Sequence, residues 1–188
     1  ATRDTQIHDA LTDWMKEMFD TTQLNNVVGT TGKTDTDETN AHIQGLLLKD
    51  ETSTTIDGIF TPILSTTTTP EEKAVLYLSL AFNFIYSSSS YLFGNESDSP
   101  LPLRMMGLAL LNQAFSEISS LDSTHPLKNL ERSREKWGNR LMGVGDAFTC
   151  SAVISSDIFR QLSTAVRRDE MTHLKDIINT IIPDPWKR

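Results

Sequence analysis

The stretch from Thr69 to Tyr86 constrains this chain more than any other. Thr69-Pro70-Glu71-Glu72 is a helix start, with a hydroxyl able to accept from the Glu72 N–H and a proline where no N–H is needed. Glu72 can reach back to the Thr69 N–H, and both glutamates sit at the positive end of the helix dipole. Ala74 to Tyr86 then runs thirteen residues without a charge. A helix that is apolar on every side is buried on every side. The run therefore predicts the central helix of an all-α fold, over about 70–93, with Gly94 as its left-handed cap. Ser79 and Asn83 interrupt the apolar character and four serines follow it, which argues against a membrane span.

Periodicity supplies the other helices. Ile7, Ala10, Leu11, Trp14, Met15, Met18 and Phe19 repeat at helical spacing over about 4–24, and Asn25-Asn26 and Gly29 should end that helix. A shorter helix follows Asp35-x-x-Glu38 and carries Ile43, Leu46, Leu47 and Leu48. Beyond the central helix, an apolar stripe covers Pro102 to Leu121. Leu127, Leu130, Arg134, Trp137, Leu141, Val144 and Phe148 then form a seam that only Arg134 interrupts. Two last stripes, Ile158 to Val166 and Leu174 to Ile181, fill about 156–182. The expectation is a compact bundle of six to seven helices in one domain over 1–188, with flexible loops at about 25–38 and 50–69. Within the second loop Ile56, Ile59, Phe60, Ile63 and Leu64 are spaced like a short helix, but Gly58 and Pro62 break it.

Charge narrows the partners. Residues 1–100 hold five Lys/Arg against fifteen Asp/Glu, and the remainder twelve against ten. So acidic a first half argues against direct nucleic-acid binding and against an anionic membrane. The single cysteine excludes an internal disulfide and fits a reducing compartment, either cytoplasm or nucleus.

Site chemistry is sparse. Gly29-Thr30-Thr31-Gly32-Lys33-Thr34 ends like a phosphate loop, yet Val27 stands where the motif needs its first glycine. Glu170-x-x-His173 has the spacing of a di-iron half-site without a second such pair, so no metal is expected. One cysteine and four scattered histidines make a closed zinc site improbable. Cys150 lies between Phe148-Thr149 and Ser151-Ala152-Val153, with nothing adjacent to activate it, and reads as a small buried hydrophobe. No catalytic residue and no cofactor are expected.

The reading is a non-catalytic helical module that binds protein partners and homodimerises inside the cell. Trp14, Met15 and Met18 on the first helix, Ser87 and Ser90 after the central run, Trp137 and Leu141 on the seam, and Trp186 in the tail are its candidate interface residues. The rival is a small-molecule sensor or enzyme whose pocket Tyr77, Asn83 and Tyr86 would line.

Three patches carry a resemblance. Trp14-Met15, Ile43-Gln44-Gly45-Leu46 and Thr69-Pro70-Glu71-Glu72-Lys73-Ala74 are similar to motifs of the telomere-repeat-factor homology domain. That resemblance implies an all-α homodimer, packed through early and late helices, that recruits short peptides to chromatin.

Overall fold

The computed structural model describes residues 2–29, 53–88, 101–144, 147–165 and 168–182. Among them are seven α-helices and no strand. The helices are α1 (Arg3–Gly29), α2 (Ser53–Phe60), α3 (Pro70–Ser88), α4 (Leu101–Ile118), α5 (Asn129–Val144), α6 (Ala147–Ala165) and α7 (Arg168–Ile181). A 3₁₀ turn, Pro126–Lys128, leads into α5.

The central helix is α3. Every residue from Ala74 to Ala81 is buried, as are Asn83, Phe84 and Ile85. Its start is capped by Thr69, whose hydroxyl accepts the Glu72 N–H at 3.2 Å and donates to the Glu72 carboxylate at 3.1 Å. The carboxylate thus closes on the hydroxyl, where the sequence predicts the Thr69 N–H. α4 is the main partner of α3, and α6 and α7 pack on it as well. At Gly107 the two central helices come close enough to exclude a side chain. A Cβ there would stand 2.7 Å from Ile85 Cγ1 and 3.2 Å from Phe84 Cβ. α1 lies against α4 and α7, α2 against α4 and α1, and α5 against α6. One continuous apolar cluster joins all seven helices.

Three boundaries differ from the sequence reading. α1 continues past Asn25-Asn26 to Gly29, because asparagine is only a mild helix-breaker. The loop expected over 50–69 contains α2, with Ile56 and Phe60 fully buried and Phe60 edge-on to Tyr77 at 5.5 Å. Gly58 costs that helix about 1 kcal/mol against alanine. Burying an isoleucine and a phenylalanine offsets it, at about 1.5–3 kcal/mol each. Pro62 falls just beyond, in a turn where the Ile63 and Leu64 N–H groups both donate to the Phe60 carbonyl. Finally, the seam from Leu127 to Phe148 is two helices. α5 stops at Val144 and Phe148 belongs to α6, which begins at Ala147 instead of near Ser156. The expected helix around Ile43–Leu48 and the Gly94 cap lie outside the described residues. Among the described residues, no helix is long and apolar enough to cross a membrane.

Candidate functional site

α4, α5 and α6 meet around Trp137. Leu130 and Trp137 are buried on one face of α5, and Arg134 stands between them. Trp137 has no exposed surface. Its indole N–H donates to Asp157 Oδ2 of α6 at 2.8 Å, and its ring meets Phe115 of α4 edge-on at 5.9 Å. Arg134 lays its guanidinium over the same phenylalanine, 4.7 Å from the ring centre, and donates to Asn112 Oδ1 at 2.9 Å. Phe115 therefore contacts both an indole and a guanidinium. Asp157 is 9% exposed, and its other oxygen accepts from Arg160, one turn further along α6. A carboxylate so far buried is costly unless its oxygens are bonded, and both are.

The start of α6 is tied to this network through the helix itself. α5 and α6 pair as an antiparallel hairpin, with Trp137 meeting Asp157 and Asn129 meeting Gln161. The backbone of Cys150 lies in the first turn of α6. Cys150 precedes Asp157 by seven residues, or two helical turns, which puts both positions in one register, roughly 10 Å apart along the axis. Asp157 is committed to Trp137 and Arg160, so its chemistry here is to hold α5 and α6 together.

Three of the candidate interface residues have described side chains. Trp14 and Met15 are 5% and 6% exposed, and Trp137 is wholly buried, so all three pack into the core. Met18, Ser87 and Leu141 lie on α1, α3 and α5, with side chains outside the described set. Ser90 and Trp186 fall outside the described residues altogether. His173 of the Glu170-x-x-His173 pair reaches across to Asp4 of α1, with Nε2 2.9 Å from Oδ2. Gly29 closes a helix and does not follow a strand, and the rest of the Gly29–Thr34 motif lies outside the described residues. Asn83, the polar lining of the alternative pocket, donates its amide to the Ser79 carbonyl at 2.8 Å. Asn112, Asp157 and Arg160 were not singled out by motif. A signal existed in Asp157-x-x-Arg160, set between Ile154, Ile158 and Leu162, where a carboxylate on a buried stripe requires a donor.

Comparison with known proteins assigns the class. The chain matches the SopA-like catalytic domain over residues 8–187 and belongs to that family. It is 28% identical, over 121 residues, to the E3 ubiquitin-protein ligase SopA of Salmonella agona (strain SL483) and to that of Salmonella typhimurium (strain LT2). The Salmonella dublin protein of the same name is 27% identical over the same length. The aligned part is 64% of this chain and spans 14% of the relatives' length. No solved structure matches the chain.

Family membership overturns the expectation of a non-catalytic scaffold or nuclear dimerisation module, and with it the expectation that the chain is no enzyme. The likeness to the telomere-repeat-factor homology domain goes too. Its Trp14-Met15 patch is core packing, and its Thr69–Ala74 patch is a capped start that any buried helix can use. No cluster of reactive residues marks the sequence as that of a catalytic domain.

Proposed function

We propose that this chain is the acceptor part of a ubiquitin ligase and carries ubiquitin as a thioester on Cys150. One conjunction supports the reading. The chain belongs to a family of catalytic domains with ubiquitin-ligase relatives, and its single cysteine occupies the first turn of a helix. Ligases either hold a charged carrier enzyme beside the substrate or first take ubiquitin on their own thiol. The first kind is often built on paired four-ligand zinc sites, and one cysteine with four histidines cannot fill two of them. The second kind needs one thiol, placed where its thiolate is favoured.

The first turn of a helix is such a place. Its unbonded N–H groups and the positive end of the dipole stabilise an anion there. The Cys150 thiolate attacks the thioester carbonyl at the carrier-bound ubiquitin C-terminus. A new C–S bond forms and the carrier's thiolate leaves. A substrate amine then attacks the same carbonyl and gives up its proton to a base, while Cys150 departs as thiolate and an amide remains. The partners in this reading are proteins: a ubiquitin-charged carrier and an amine-bearing substrate. Its place is a cell interior that holds both, cytoplasmic in keeping with the lone free thiol.

Charging assays with a carrier–ubiquitin thioester test this. The chain should form a ubiquitin adduct that thiol reductant cleaves. Cys150→Ser should give an adduct that resists reductant, and Cys150→Ala should lower transfer by at least about a thousandfold, as loss of a covalent nucleophile does. Transfer that survives in Cys150→Ala would sink the reading in favour of a ligase that only positions its carrier.

A further inference from the structure

We infer that the Trp137–Asp157 hydrogen bond is the positioning element for the thiol-bearing turn of α6. The inference rests on Cys150 as the acceptor and adds how that residue is held in place. α5 and α6 run antiparallel, and the start of α6 follows the end of α5 in the chain. Apolar contact alone leaves such a pair free to slide and roll by small amounts, because the hydrophobic effect has no direction. A hydrogen bond does have direction, and it weakens steeply outside a narrow range of distance and angle. The indole N–H and Asp157 Oδ2, 2.8 Å apart and both buried, therefore fix the register of α5 against α6. Another polar tie between these helices, Asn129 to Gln161, is longer at 3.5 Å and exposed.

The bond is braced at both ends. Phe115 meets the indole edge-on, Arg134 lies over the Phe115 ring, and Arg160 holds the other Asp157 oxygen so that the carboxylate cannot turn away. Asp157 shares its helical register with Cys150 two turns earlier, so a displacement at one is carried rigidly to the other. Trp137 and Asp157 are positioning residues. Neither touches the reacting atoms, and Trp137 itself belongs to the core.

Three variants of the full chain separate this role from a general contribution to folding. Trp137→Phe removes the N–H and keeps a ring against Phe115. Asp157→Ala removes the acceptor, whereas Asp157→Asn retains an oxygen that the indole can reach. Two quantities are measured: kcat and KM for ubiquitin transfer from a carrier thioester to Cys150, taken well below each variant's melting temperature, and the melting temperature itself. Trp137→Phe and Asp157→Ala should lower kcat about tenfold with KM unchanged, since misplacement of a reacting group by an ångström costs up to about a hundredfold. Asp157→Asn should stay within about twofold of the parent chain, because the directional bond survives. An unchanged kcat in fully folded Trp137→Phe, with only a lower melting temperature, would overturn the inference. If Asp157→Ala fails to fold, Trp137→Phe carries the test. Failure of the Cys150 reading shows elsewhere, as ubiquitin transfer that persists in Cys150→Ala.

Discussion

Gly107 is a residue chosen for what it lacks. Its Cα sits where α4 presses on α3, and the nearest atoms belong to Ile85 and Phe84, both buried. A methyl group at 2.7 Å from Ile85 Cγ1 has nowhere to go unless a packed side chain leaves its rotamer or the helices separate. The propensity gain of alanine over glycine in a helix, about 1 kcal/mol, works in the opposite direction. Overpacking of a close core costs about 1–3 kcal/mol, and at this distance it wins. Gly107→Ala should therefore lower stability, by up to about 2 kcal/mol, in denaturant unfolding. Gly58 offers the control, since a Cβ there meets nothing within 4 Å, and Gly58→Ala should stabilise α2.

At the scale of single helices, the start of α3 is the sharpest case. Thr69 both accepts the Glu72 N–H and donates to the Glu72 carboxylate. Thr69→Ala removes both and should cost about 0.5–2 kcal/mol, while Thr69→Ser should retain most of the cap; thermal melts of the two variants check this. This element was legible in the sequence because two independent signals coincided: a capping box and an uncharged run too apolar to face water. α2 was not, because Gly58 and Pro62 are local signals, whereas the burial of Ile56 and Phe60 that outweighs them is tertiary. The α5–α6 break was hidden for a related reason. Phe148 continues the three-and-four spacing of α5, and periodicity does not register a change of direction. The sequence reading starts the last helices at about Ser156 and so leaves Cys150 outside any helix start, whereas α6 begins at Ala147. The network of Asn112, Arg134, Trp137 and Asp157 draws on three helices, so no short motif spells it.

The molecule as a whole should unfold as one unit. Trp14 on α1 and Trp137 on α5 sit in a single apolar cluster, joined through α3 and α4, with no gap in buried contacts between them. In a Trp186→Phe background, fluorescence then reports both regions while far-UV circular dichroism reports all the helices. The two denaturant transitions should superimpose, as expected when no intermediate is populated. Separate transitions would mean that the α5–α6 hairpin melts on its own, and a site held by that hairpin would then be looser than the rest of the fold.

The clasp between Asp4 and His173 bears on topology. These residues are 169 apart in sequence, yet their helices lie side by side, so the first and last described helices are neighbours. The order in which the chain threads the bundle is consequently separable from the bundle itself. A permuted chain that links α7 back to α1 and opens new termini in the turn at Ser120–Thr124 should therefore keep the parent's helical content, which far-UV circular dichroism checks.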